Sequence, residues 1–493
     1  MRAPPGRPSA HPLAPAWRLR RAAFNTSQGL ISTLTSDKTL AYTTLGVLYG
    51  VFTCTCLVAP KLVDVLGPRI SVSIGAVPYV LFVFANILPG WATLLPASAA
   101  VGFGAGLLWT GQGIYLSRCA VREAALTGEA VDAVLGRMNG TFWMLFQFNG
   151  AVGLFFASVI LGRAQAGAFS LADAIKFMFM GFGAVGLGGV AILFSLKNAP
   201  PMAPGEGGAK SVNGGGAHAD AIADTEAAAE DAAGGGAKGA VTLFDTLRLL
   251  ATSRAMCLLV PAIFYNGASI GFFTGTFPLI WQDVASASDG SGGRLALLPS
   301  SFVGYVAATF YLLNSLFSFV FGKAVIPRFG RRVLFALTFA TALVFFGALL
   351  MLQLGWLSVA HESAAAYALV FGLAVAFAAG DSVLESQLPA IMQSPTFFPV
   401  ERERDAANAV LRMAMSLGFC AQFAVGVFFA CPAGGGAAGC TTQAAILLPL
   451  MLVSIGCIAV CDRFVRPIPE GIEAGGAKAA EGDYRAVPAD DAE

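Results

Sequence analysis

Apolar stretches recur along the chain, each near the roughly 20 residues a helix needs to cross a bilayer, and short polar breaks separate them. They predict spans near 39–59, 70–90, 92–116, 138–162 and 172–196, then 255–282, 300–323, 333–354, 364–388, 406–430 and 441–461. Ahead of these, Ala22 to Leu34 is apolar but too short to cross. It reads as the back half of a first span whose front half is absent, which makes Met1 a non-native start. Asn198 to Ala240 is rich in Gly, Ala and acidic residues and offers nothing to bury, so it reads as a flexible linker. After it, Leu243, Phe244, Leu247 and Leu250 recur at helical spacing beside Asp245 and Arg248, as in an interfacial helix. The expected organisation is a disordered tail (1–23), a helical half (24–196), a cytoplasmic linker with a short amphipathic helix (197–254), a second helical half (255–466) and a second disordered tail (467–493).

Composition fixes the solvent. Only 12% of residues are charged, where soluble domains carry roughly 25%. A soluble fold of 493 residues lacks its charged skin here, and lipid removes the need for one. In lipid every backbone polar group must be satisfied internally, which favours helices. The expected class is an all-α polytopic membrane protein with the bilayer as its first partner. A net charge of +1 gives no field for nucleic acid. The three histidines, His11, His218 and His361, fall outside the apolar stretches, which argues against an intramembrane proton relay or zinc site. No metal and no cofactor is expected. No nucleophile–base constellation or phosphate loop points to an enzyme. The nine cysteines show no metal spacing. Cys54 and Cys56, and Cys457 and Cys461, read as small packing residues. Cys431 and Cys440 bracket a glycine-rich loop and are candidates for a disulfide if that loop meets an oxidising compartment.

Charge also sets an expected orientation. With the linker in the cytoplasm, all of the 30 basic residues except Lys38, Arg163, Lys176 and Arg294 fall in cytoplasmic segments, Arg402, Arg404 and Arg412 included. The positive-inside rule then places both termini in the cytoplasm. Trp91, Trp281 and Trp356 fall at outer span ends, where an aromatic belt belongs.

Polar residues inside spans are costly and mark glue or function. Gln112 and Tyr115, near Trp109, lie three apart, and Trp143 and Gln147 lie four apart, so each pair shares a helix face. Asn139 and Asn149 read as interhelical glue. Asn139-Gly140-Thr141 is a glycosylation sequon by pattern but starts a span, so it should stay unmodified. The sharpest signal is Gly380-Asp381-Ser382-Val383-Leu384-Glu385-Ser386-Gln387. Asp381 and Glu385 are four apart on one face, and two ionised carboxylates there would repel. One reading is a proton or cation site in a central cavity, with Gln387, Asn266 and Asn314 as further lining. The other is a polar contact with Arg402, Arg404 or Arg412.

Two loops match. Leu62-Val63-Asp64-Val65-Leu66-Gly67-Pro68-Arg69 precedes one span, and Arg328-Phe329-Gly330-Arg331-Arg332 precedes its counterpart in the second half. Both resemble the tight cytoplasmic loop of the major facilitator superfamily. Asp64, Gly67, Arg69, Gly330, Arg331 and Arg332 form the candidate gating loops, although Pro327 stands where the second copy should carry an aspartate. Leu66–Arg69 through Tyr79 and Asn86, Leu108–Leu116, Asn139–Gln147 and Gly380–Gln387 together resemble one branch of that superfamily. This is the Uncoordinated-ninety-three family, also called the ion-channel regulatory protein family. The resemblance runs from about Phe24 to about Arg466 and implies a major facilitator fold of two six-helix halves. Some members of the family resemble regulators of potassium channels, and others act as trafficking chaperones for membrane receptors. The resemblance therefore implies an accessory protein that binds another membrane protein, a channel or receptor. Against the family pattern, Glu385 stands where an amide is expected. The alternative is a proton- or cation-coupled secondary transporter that uses Asp381 and Glu385.

Overall fold

The structure is a computed structural model and describes residues 38–165, 167–196, 242–283, 297–299, 302–429 and 437–469. The half-span expected at Ala22–Leu34, the polar linker and the proposed Cys431–Cys440 pairing fall outside the described residues and side chains.

The first half comprises α1 (Lys38–Cys56), α2 (Ala59–Leu66), α3 (Pro68–Ala85), α4 (Trp91–Thr127), α5 (Val131–Gln165) and α6 (Leu171–Phe194). A short α7 (Leu243–Thr252) leads into the second half: α8 (Arg254–Gly275), α9 (Phe277–Trp281), α10 (Val303–Val320), α11 (Ile326–Gln353), α12 (Ala364–Met392), α13 (Glu401–Phe428) and α14 (Ala437–Val460). One π-turn, Phe321–Val325, joins α10 to α11, and another, Cys461–Val465, ends α14. Two short strands, β1 (Gln282–Asp283) and β2 (Leu298–Pro299), pair in parallel.

Among the described residues nine helices are long and apolar enough to span, or ten with α1 and α2 taken as one span bent by 67°. One of the nine is a continuous 51-residue stretch, Val303–Gln353. At 1.5 Å per residue it would be about 77 Å long, far beyond a hydrocarbon core of about 30 Å. Gly330 breaks it with φ 75° and ψ 176°, a conformation essentially confined to glycine. Two spans result, and the predicted eleven are all present. Gly67 makes the same turn in the first half, with φ 79° and ψ 148°.

Helices α4 and α5 have 37 and 35 residues and outrun the bilayer at the end of the bundle that carries the linker. Gly128, at φ 74°, returns the chain between them. Arg137 bridges Glu123 (2.7 Å) and Glu129 (2.5 Å), so the extension is held by ion pairs beside a small apolar cluster of Ala120, Ala124, Val134 and Leu135. The linker helix α7 starts with a capping box, Thr242 with Asp245, and Asp245 also pairs with Arg402 at 2.7 Å. Thr246 and Leu249 are buried against the bundle, while Phe244 is 70% exposed. This is the two-faced helix that the spacing predicts.

The halves meet through α1 on α13 and α5 on α10. At the second crossing a Cβ on Gly140 would lie 2.6 Å from Ser318 O, and one on Gly322 would lie 2.9 Å from Gly136 O. Small residues let the two backbones touch, which is how helices associate when lipid removes the hydrophobic drive. Ser315 Oγ donates to Met144 O (2.6 Å) across the same seam, and Thr53 and Ser416 hydroxyls pair at 2.9 Å across the other.

Two expectations need correction. Trp91 and Trp356 are exposed, but Trp281 is only 1% exposed and belongs to the second-half core, so it is not a belt residue. The polar tail expected from 467 is packed as far as Pro469. Ile468 is buried, and its N–H donates to Asp462 Oδ1 (2.8 Å).

Candidate functional site

A cavity of about 810 Å³ of non-atom space lies between the halves, of which about 70 Å³ admits the centre of a water molecule. One water needs roughly 10–15 Å³ by that measure, so the space suits a few waters or one small solute. Both halves line it, with Tyr49, Trp109 and Gln147 from the first and Phe310, Glu385 and Arg412 from the second.

Arg412 is the residue the sequence reading misplaced. The charge rule places it in a cytoplasmic segment, yet it lies three turns into α13 and is 3% exposed. A guanidinium at membrane depth costs at least about 2.5–3.5 kcal/mol unless the protein solvates it. Here its Nη2 donates to Gln112 Oε1 (3.2 Å), and its Cζ lies over the Trp109 ring, 4.7 Å from the centroid. Trp109 stacks on Trp143 (5.9 Å) and donates through Nε1 to Tyr79 Oη (3.2 Å). Gly113 makes the approach possible. A Cβ there would meet Asn408 Oδ1 at 2.8 Å, and Arg412 lies one turn beyond Asn408 on α13. One sequence signal was available: Arg412, Ser416 and Phe419 recur at helical spacing, and all three line the cavity.

The two acids of α12 part company. Glu385 lines the cavity and accepts from Gln147 Nε2 across the seam. Asp381 turns into the second half and accepts from Asn266 Nδ2 (3.1 Å) and Asn314 Nδ2 (2.7 Å). It lines a separate small pocket with Tyr265, Thr338 and Thr341. A shared helix face therefore does not give a shared site, and Asn266 and Asn314 do not line the central cavity.

The remaining candidates are distributed elsewhere. Gln112 supports Arg412 rather than lining the cavity. Tyr115 is buried in the first-half core beside Cys119. Gln387 belongs to a latch at the linker end, where its Oε1 accepts from Arg331 Nε (3.1 Å). Arg331, fully buried, also donates to Asp132 O of the first half (2.9 Å) and to Pro469 O of the C-terminal segment. Asn139 Nδ2 donates to Gln393 Oε1 (2.9 Å), and Arg118 pairs with Glu401 (3.4 Å), so this end is closed. Asn149, read as interhelical glue, instead donates back to Leu145 O of its own helix.

The loop arginines have parallel roles. Arg69 follows Gly67 by two residues, and Arg332 follows Gly330 by two. Arg69 Nη2 donates to Phe194 O (2.8 Å), the last residue of α6. Arg332 pairs with Asp462 (2.7 and 3.1 Å) in the turn that ends α14. Each tethers the loop to the last helix of its own half. Asp64 is exposed and makes no ion pair among the described residues.

Comparison with known proteins decides the family. The profile described as "Ion channel regulatory protein UNC-93" matches residues 35–432. The chain belongs to the UNC-93 family. Relatives within it include UNC93-like protein 3 of Arabidopsis thaliana, 27% identical over 385 residues, which are 78% of this chain and 73% of that protein. Protein unc-93 homolog A of Bos taurus is 27% identical over 437 residues, covering 82% of this chain and 84% of that one. Among solved structures, the proton:xylose symporter XylE aligns over 95% of this chain and 98% of its own, with a TM-score of 0.62 and 14% identity. A bacterial homologue of ferroportin in an outward-facing state aligns over 92% and 98%, with a TM-score of 0.57 and 12% identity. At these identities the likeness establishes the major facilitator fold. This UNC-93 protein is thus a multi-pass membrane protein of accessory, regulatory type on a transporter-like scaffold.

Proposed function

We propose that this protein modulates an ion channel, a potassium channel first of all, or the trafficking of a membrane-protein partner. The family match over residues 35–432 carries the reading. The closed linker end, with Arg331 held by both halves, suits a protein that presents a fixed outer surface to a partner. The test is affinity purification from membranes of the source cells, followed by co-expression of each recovered channel with this chain. A channel should co-purify, and its conductance or surface level should change. Recovery of no membrane-protein partner would sink the reading.

One observation favours a second reading, a proton- or cation-coupled transporter. Arg412 and Glu385 place both signs of charge in the central cavity. Reconstitution in liposomes under a proton or potassium gradient separates the two. Gradient-driven uptake that vanishes in Glu385→Gln would replace the accessory reading.

A further inference from the structure

At two polar ends of the central cavity, Arg412 and Gln147 are left with bonding capacity. Arg412 has five N–H donors in a planar fork, and among the described residues it makes one hydrogen bond, to Gln112. Its Cζ lies over the Trp109 ring, 4.7 Å from the centroid, and the remaining N–H groups of the fork present an edge to a ligand. Such an edge matches a carboxylate, which it can hold through two parallel bonds. At the other end, Gln147 spends its amide N–H on Glu385, and its buried Oε1 has no hydrogen-bond partner among the described residues. The unmatched Gln147 Oε1, beside a carboxylate, suits a cationic donor. Between the two ends lie rings, with Tyr49 stacked on Phe419 at 4.3 Å.

We propose that this cavity binds a small zwitterion of the α-amino-acid class, with its carboxylate on Arg412 and its ammonium on Glu385 and Gln147. The field excludes simpler ligands. A lone anion at Arg412 would meet the charge of Glu385, and a lone cation at Glu385 would meet that of Arg412, in surroundings that screen both weakly. A zwitterion presents each sign to its opposite and leaves its side chain to the rings. The proposal holds whether or not the solute crosses the membrane, so it goes beyond both functional readings. In an accessory protein the site would report a nutrient to the partner.

The experiment uses the full chain purified in detergent. Thermal unfolding is followed with each standard L-amino acid, and binding of any stabilising one is titrated at equilibrium. That amino acid is then compared with its decarboxylated amine and its deaminated acid. The expected result is saturable stabilisation by at least one amino acid, with both analogues weaker by at least about tenfold, the scale of a lost buried charge partner. Arg412→Lys should weaken the parent by a similar factor, and Glu385→Gln should abolish the preference for the amino acid over its deaminated acid. No stabilisation by any amino acid would overturn the proposal. So would an analogue that binds as tightly as its parent, a comparison made on the wild type and independent of whether the variants fold.

Discussion

Asp381 and Glu385 illustrate what a sequence says at the scale of single residues. Their spacing announces a shared face on α12, because side chains four apart stack along a helix. It does not say which neighbours that face meets. Helix rotation and crossing decide that, and here a single turn separates the second-half interior from the central cavity. Arg412 was illegible for a related reason. A basic residue near a span end is cheap if it reaches water and costly if it does not, and only the position of Gln112 and Trp109 tells the two apart. The environment of Asp381 gives a prediction. Asp381→Asn turns an acceptor that faces two amide donors into a group that can accept from only one of them. A hydrogen bond to a charged group is worth about 1.5–3 kcal/mol, so the variant should be less stable by about that amount. Thermal unfolding in detergent reads it. An unchanged midpoint would mean that Asp381 is protonated or otherwise held.

At the scale of elements, the two glycine turns were legible because their demand is local. Gly67 and Gly330 both take positive φ, and nothing but the backbone is needed to require glycine there. Gly330→Ala should cost on the order of 1–3 kcal/mol. Gly46→Ala is the control: its Cβ meets nothing within 4 Å, and alanine at a helical position should be neutral or gain up to about 1 kcal/mol. Equal unfolding midpoints for the two variants would refute the strained turn. The linker helix α7 was legible from its spacing, but its anchor was not, since Arg402 lies far along the chain. Burial alone would raise the Asp245 carboxyl, but hydrogen bonds from Thr242 and then Arg402 outweigh it and hold the group below 3.8. A depressed folded-state pKa means that the contribution is present above the unfolded value and is lost as pH falls through the folded one. Docking of α7 is therefore complete at neutral pH. Asp245→Asn mimics the neutral acid form and removes the ion pair with Arg402, which is worth about 0.2–1 kcal/mol. Trypsin should then cut at Arg248 faster than in the wild type, and an unchanged rate would show that Leu249 and Thr246 hold the helix without the acid.

At the scale of the whole molecule, the number of spans and the division into halves were legible because lipid imposes them through run length and loop charge. The seam was not, because it depends on contacts such as Gly140 with Gly322 and Asn139 with Gln393 that join residues far apart in the chain. Orientation is the prediction that belongs here. The basic residues gather at the end that carries the linker, so a tag inserted near Gly214 should be labelled only after cells are permeabilised. Labelling of intact cells would reverse the assignment. Arg331 carries a consequence for how such a bundle moves. One guanidinium holds Asp132 of the first half, Gln387 of the second and Pro469 beyond the last helix. Removing any one of these partners leaves a buried charge facing the others with a donor unmatched, so a half-open arrangement is worse than either extreme. Of these contacts the one to Asp132 crosses between the halves, so parting at this end must break it while Gln387 and Pro469 still hold the guanidinium, and it should be a switch rather than a slide, with few molecules caught in between.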